Sequence, residues 1–543
     1  VNAELPALFA WLAAVAVALA GFARPAKRWW TRRPVFVLLL AVALFTGQRE
    51  AIRANFQLWN PDESQLIAGA LTLHERPVFW RDIDGTTSGP LNLWPLLLPA
   101  AAGLRLDYTA ARLVGALVTV LMLAALHAAL ARRLPEEAAR LLVLPAWTFF
   151  IFNQDPEIAQ YGSELVPALL LAAGAAAVLR SLDGHPRLWC GLTGLAAGAL
   201  PFAKLQAAPF TVALLLFTAL AHGRTTVGRR ALPWLAAGAL LPVALCLGPV
   251  ALAGAFDDFL VRYLKVNLLG YTLEGARYFN DAFPTPDLVF GFESFLWPVV
   301  GVIAAGLGLV LLRRTRPDIP AVVLSAGLVA AALLAVYLPH KPFAHYFLLL
   351  VAPLTLLLGA LAGPALIGLA SAVPARRLLL AALLVAGLCG FSVAHHLRHP
   401  DALRGFVRSR PPLARELIEA VQRHTRPGDG LAVWGWQPGL YVFTQTVSAT
   451  PDLIVFWQIV PSAWRDFYRD RYLRALTGRP PAVFVDTTGP ADFFFSRRPE
   501  TARHENFPAL ADFIADGYEL AETAAGARVY VRRDRAGPPP AGL

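Results

Sequence analysis

The sequence predicts a polytopic α-helical membrane protein of about twelve spans, followed by a small soluble α/β domain. Three observations carry that expectation. Of the 543 residues, 57% are hydrophobic and only 16% are charged, where a soluble chain of this size carries about a quarter charged residues. The apolar residues fall into runs that can cross a bilayer as helices, which takes roughly 17–25 residues. From about residue 398 the composition becomes that of a water-facing domain. Disorder and a disulfide-built module are excluded, and a soluble enzyme has no place for so many apolar runs.

The runs lie at 5–22, 34–50, 109–131, 140–153, 164–180, 188–203, 205–221, 231–254, 292–312, 319–338, 347–369 and 377–396. Arginine sets their orientation. Arg24, Lys27, Arg28, Arg32 and Arg33 follow the first run, and Arg132, Arg133 and Arg140 the third. Arg180 and Arg187, then Arg224, Arg229 and Arg230, then Arg313, Arg314 and Arg316, and finally Arg376 and Arg377 continue the series. Every second connection is therefore short and basic, as cytoplasmic loops are. The first run lacks a basic segment ahead of it and reads as a span rather than a cleaved signal. Both ends of the chain are expected on the outer side of the cell inner (plasma) membrane.

The remaining connections, 51–108, 154–163, 255–291 and 339–346, open on that outer side. Within the first of them, 90–104 is apolar but interrupted by prolines, and reads as an interfacial or re-entrant piece rather than a span. The chain thus divides into a transmembrane domain, 1–397, and an extracytoplasmic domain, 398–543. In the latter, Pro411–Thr425 reads as a helix with a stop at 426–429, Leu431–Trp436, Tyr441–Val447 and Ala482–Thr487 as strands, 461–477 as a helix and 518–533 as a hairpin. The end, 537–543, is expected to fray.

A net charge of +11 would suggest nucleic acid if its distribution were ignored. The arginines lie in short loops and in the tail, with no basic stripe interleaved with aromatics, so no nucleic-acid partner is expected. Cys190, Cys246 and Cys389 all sit inside apolar runs, without metal spacing or a disulfide framework.

The candidate chemistry lies in the outer loops. Asp62 and Glu63 stand in Trp-Asn-Pro-Asp-Glu-Ser-Gln, where Pro61 and two acids are also what a plain helix start requires. A carboxylate base at the lipid interface, with Glu63 as helper or metal ligand, is the functional alternative. Asp155, Glu157 and Glu164 crowd one short connection, which suits acid/base work or a metal, while Glu164 also stands where a helix cap would. The chain has four lysines, and Lys204, Lys265 and Lys341 all fall on the outer side, against the positive-inside trend. A compact ammonium suits a phosphate; snorkelling at a helix end is the competing reading. His345 and Tyr346 add donors near Lys341, or belong to an interfacial aromatic belt.

In this order, an outer-loop Asp-Glu with an amphipathic segment, Tyr161-x-Ser163-Glu164 opening a helix, Gly194-Leu-x-x-Gly-x-x-x-x-x-Lys204, and Lys341-x-x-x-His-Tyr-Phe-Leu-x-x-x-x-Pro353 resemble the GT-C superfamily of polyprenyl-phosphate-sugar-dependent glycosyltransferases. The similarity covers about 34–370 and is strongest to the branch of the protein O-mannosyltransferases, the aminoarabinose transferases of lipid A and the rhizobial core-sugar transferases. The resemblance implies an inverting transfer from a polyprenyl-phosphate sugar to a glycan, lipid or protein acceptor. Asp62 would be the catalytic carboxylate, Glu63 its helper and Glu164 the second outer-loop acid. Lys204 and Lys341 would hold the donor phosphate, with His345 and Tyr346 beside it. Asp155 and Glu157 are the candidate acid or metal groups, with a divalent metal left open. The chain departs from the pattern by one extra N-terminal span and by a Glu where a second Asp is frequent.

Two other classes compete. A transporter or flippase for a lipid-linked sugar would place ionisable residues and broken helices near the bilayer midplane, whereas these acids lie in loops. A catalytically silent assembly or scaffold subunit would keep the spans without needing the acids.

Overall fold

A computed structural model describes residues 5–23, 32–58, 61–274, 292–341, 343–368, 373–398, 403, 413–426, 428–497 and 499–535. Lys27 and its basic neighbours, Trp59 and Asn60, the outer connection beyond Glu274, Pro342 and the end 537–543 lie outside these. By its contacts the chain sorts into two units. One comprises Val1–Arg53, Arg112–Leu245 and Thr285–Phe406, the other Ala54–Ala111, Cys246–Pro284 and Val407–Leu543.

The first unit is helical, and each of the twelve apolar runs forms a helix. Among the described residues, eight helices are long and apolar enough to cross a membrane by length and composition. The other four, Arg33–Gly47, Glu136–Phe152, Leu165–Ser181 and Pro186–Ala203, are shorter or less apolar. Eight is thus the number that length and composition support, against about twelve expected.

Burial sorts the helices. Glu136–Phe152 is buried at every residue from Ala138 to Phe152, and Leu348–Gly368 is buried along most of its length. A helix that is apolar all round belongs inside a larger structure or in lipid. Around these two, helices leave Val212, Leu216, Leu307, Leu311 and Leu383 exposed. Outward-facing leucines on segments whose backbone is satisfied within each helix are what a lipid solvent requires. This is a multi-pass membrane protein.

Two helices of this unit meet backbone to backbone. A Cβ on Gly194 would lie 2.1 Å from the Leu235 carbonyl, one on Gly198 2.2 Å from that of Ala239, and one on Gly238 2.1 Å from that of Gly191. Small residues spaced three and four apart allow membrane helices to approach this closely, and here nothing larger fits.

The second unit carries a five-stranded sheet in the order β2-β1-β3-β5-β4. Its strands are β1 (Gly430–Trp434), β2 (Val447–Ser448), β3 (Val483–Asp486), β4 (Tyr518–Ala524) and β5 (Ala527–Arg532). The first three run parallel, and the β4–β5 hairpin closes antiparallel onto β3. Trp434, Tyr472, Phe484, Leu510 and Ile514 form its core. The expected strand at 441–447 is instead the helix Gly439–Thr444 followed by a two-residue strand. The β-branched and aromatic residues of that stretch misled. Gly439, Leu440, Tyr441 and Val442 are buried in succession, which alternation along a one-sided strand forbids. Helix Pro508–Gly517 was not expected.

Three further segments belong to this unit. Helix Asp62–Glu75 begins at the Asp-Glu pair. The proline-interrupted stretch forms three short turns, Pro90–Leu93, Trp94–Leu96 and Leu97–Ala101, that leave Trp94 and Leu98 exposed. Phe259–Glu274 is a wide, π-type helix.

Candidate functional site

In the first unit, three helix ends deliver the charged side chains. Glu164 immediately precedes helix Leu165–Ser181, but its side chain makes no cap hydrogen bond. The cap explanation therefore does not account for this carboxylate. Lys204 is extended, between the end of Pro186–Ala203 and the turn Leu205–Ala207. His345 and Tyr346 lie in the tight turn Ala344–Phe347 that opens helix Leu348–Gly368. Breaks between helices are where a polar side chain can point inward without disturbing a hydrogen-bonded ladder.

These ends converge. The Lys204 ammonium donates to Glu164 Oε1, and to Ser163 Oγ at 2.7 Å. It also lies 4.7 Å from the centre of the Tyr346 ring. His345 places Nε2 3.8 Å from the same Glu164 oxygen and Nδ1 3.2 Å from Glu157 Oε2. Its backbone N–H also donates to Glu157 at 3.3 Å. Lys204 is 2% exposed and Glu164 fully buried, so this lysine does not snorkel.

Asp155 starts the short helix Pro156–Ala159 by accepting from the Glu157 N–H at 2.9 Å. Burial pushes its carboxyl up to about 6. Burial also opposes ionisation of Glu157, but its bond from His345 outweighs that and holds it below the usual range. Both acids of this candidate metal pair are thus engaged by protein groups. Lys341 is buried, and burial lowers its ammonium to about 8.

Asp62 and Glu63 belong to the second unit. They occupy the first turn of their helix, with Asp62 partly exposed and Glu63 buried. Beside them Ser64 donates to Gln57 at 3.1 Å and pairs with Tyr108 at 2.8 Å. Lys265 is exposed on the wide helix.

Two clusters of the second unit escaped the sequence reading. Arg262 is fully buried; it donates through Nη1 to the Trp80 carbonyl at 2.9 Å and through Nη2 to Asp84 and to Asp452, the latter at 2.7 Å. Burial raises Asp452 to about 7 against the pull of Arg262. The second cluster lies at the end of β3. Asp486, His504 and Glu505 place ligand atoms within 4.8 Å of one another, the single such set among the described residues. Arg528 already bonds both acids, so a cation there would meet a guanidinium in its place. An Arg two dozen residues downstream of a His-Glu pair is too common a pattern to have marked the second, and the acids that Arg262 joins lie 178 and 190 residues from it.

No family model matches the chain, and no curated protein matches it in sequence. Its structure is similar to that of ArnT, an aminoarabinose transferase, from Cupriavidus metallidurans in the apo state, with a TM-score of 0.56 at 16% identity over 93% of this chain and 99% of that one. The oligosaccharyltransferase of Archaeoglobus fulgidus in its apo form aligns over 94% of this chain and 76% of its own, with a TM-score of 0.47 and 11% identity. The helical bundle with its small C-terminal sheet has the GT-C fold.

Proposed function

We propose that the chain is an integral-membrane glycosyltransferase that moves a sugar from a polyprenyl-phosphate donor to an acceptor on the outer face of the inner membrane, with inversion. The observation that carries this reading is the likeness to a transferase along almost the whole of both chains. The buried Glu164–Lys204–His345 cluster, at the motif positions the resemblance marks, supports it.

In the proposed reaction the acceptor hydroxyl attacks the anomeric carbon as its proton passes to Asp62. The bond from that carbon to the phosphate oxygen breaks, and polyprenyl phosphate leaves with the electron pair. Lys204 and Lys341 meet the developing charge, with His345 and Tyr346 alongside. An incoming phosphate competes with Glu164 for Lys204, so the glutamate sets how readily the lysine is released. The lipid tail of the donor accounts for the many spans. The acceptor is a glycan, lipid or protein, and a divalent metal requirement is tested by chelation in the same assay.

One observation favours a second reading. The Lys204 charge is already matched by Glu164, as it would be in a purely structural strut of a silent assembly subunit. Transfer from radiolabelled polyprenyl-phosphate sugars by purified wild-type protein and by Asp62→Asn separates the two. Loss of a general base lowers the rate about 100-fold or more. Equal rates for both proteins would remove Asp62 from the chemistry.

A further inference from the structure

At the basic ends of the first unit's helices lies a cavity of about 680 Å³ that the proposed reaction does not use. Its walls are apolar, with Leu130, Leu134, Leu309, Leu324 and Leu356 among them. Its rim is not. Arg133, Arg314, Thr315, Arg316 and Asp318 surround one end, and these belong to the short loops that the arginine bias assigns to the cytoplasm.

The rim charges divide into used and unused. Arg133 is committed: it donates to the Leu179 carbonyl at 3.1 Å and pairs with Asp183 at 3.1 Å and with Asp318 at 3.4 Å. Asp318 is further occupied as the cap of helix Ile319–Tyr337. Arg314 and Arg316 are exposed and form no ion pair among the described residues. The Thr315 hydroxyl between them is buried at the cavity without a hydrogen-bond partner among the described residues. An orphan hydroxyl in such a place costs free energy unless something accepts from it.

We propose that this cavity binds an anionic phospholipid, its phosphate held by Arg314, Arg316 and the Thr315 hydroxyl and an acyl chain lying along the leucines. The geometry is amphipathic in the same sense as the ligand. An apolar slot of several hundred Å³ suits a lipid chain, and two uncommitted arginines at its mouth suit a phosphodiester that carries one negative charge. A zwitterionic lipid would bring its own ammonium against the same arginines. The site is distinct from the Lys204 cluster, which lies at the opposite ends of the helices by the alternation of loops.

Native mass spectrometry of the full chain, released from detergent after incubation with phosphatidylglycerol, phosphatidylcholine or inorganic phosphate, tests this. Wild-type protein is expected to retain phosphatidylglycerol in preference to phosphatidylcholine. Arg314→Gln with Arg316→Gln should weaken that retention about 30-fold, the loss of two arginines beside an anionic headgroup. Ala360→Phe, which fills the cavity and leaves every charge, should weaken it as well. Arg229→Gln with Arg230→Gln, in another basic loop of the same side, should leave it unchanged. If the two double variants lose lipid alike, the attraction is that of a basic surface and the site is wrong. Inorganic phosphate bound as tightly as the lipid, and unaffected by Ala360→Phe, would overturn the lipid assignment. Because both arginines are exposed, their replacement leaves the fold intact, and a retained melting temperature verifies this.

Discussion

In the first unit, Lys204 and His345 share one oxygen of Glu164; in the second, Arg262 divides one guanidinium between Asp84, Asp452 and the Trp80 carbonyl. Both clusters are buried and both join segments distant in sequence. They differ in the cation chosen. A guanidinium is permanently charged, and its planar fork has fixed directions, so Arg262 ties a loop, a wide helix and the C-terminal sheet domain together as a strut. An ammonium and an imidazole have softer geometry. Either can turn toward another anion or give up a proton. The second cluster is built to stay; the first is built of groups able to let go.

Breaking the strut should have the largest effect. Arg262→Met leaves Asp84 and Asp452 buried against one another, and loss of one partner of a buried pair costs about 3–5 kcal/mol. The expected outcome is a sharp fall in folded yield and in the melting temperature in detergent. Arg262→Lys should recover little of it, because an ammonium does not reach three acceptors in the plane the fork uses. Full recovery by lysine would show that charge, not shape, holds the segments.

The Lys204 cluster should respond differently. Lys204→Met is expected to lower turnover or donor affinity by roughly 10–100-fold, the worth of one charge-assisted phosphate contact. Lys204→Arg should retain part of this, and Lys27→Met should change nothing. Stability should fall less than for Arg262→Met, since Ser163 and His345 remain beside Glu164. Activity assays on equal amounts of folded protein separate the effects. If Lys204→Met is as active as Lys27→Met, Lys204 is a strut too.

The smallest effect belongs to Asp155. Its carboxyl titrates near 6 in the folded chain because of burial, and near 3.9 when unfolded. Between those values the folded state binds more protons, so stability falls as pH rises from about 4 to about 6 and remains lower above. Asp155→Asn keeps a good cap residue and should remove that fall, raising stability above pH 6 by about 1–3 kcal/mol. A pH profile of melting temperature identical to that of wild type would assign the dependence to other groups.

The contrast between the clusters also explains what the sequence could reveal. Lys204 stood out because lysine is rare in this chain, and Glu164 and His345 because they flank apolar runs at the points where helices begin. Arg262 is one arginine among many, on the wide helix, and its partners, Asp84 and Asp452, are 178 and 190 residues away. Nothing local marks such a meeting. The helices were legible for the same reason as Lys204: a bilayer demands long apolar runs, and the runs announce themselves. The stretch after Pro438 was not, because β-forming residues there are overruled by burial on all sides of a short helix. Ser163 was missed as a ligand of Lys204 because a lone serine before an acid reads as helix-start punctuation.

The glycine contact between the two helices has a consequence for Lys204. Gly198 lies six residues before it, about 9 Å of helical rise, and Gly194 and Gly198 touch neighbouring carbonyls with no side chain between. The height of the ammonium along helix Leu232–Leu252 is therefore measured off by backbone, as by notches on a ruler, and not by the lysine's own side chain. A slip of one notch would carry the charge a full turn along that helix, about 5.4 Å.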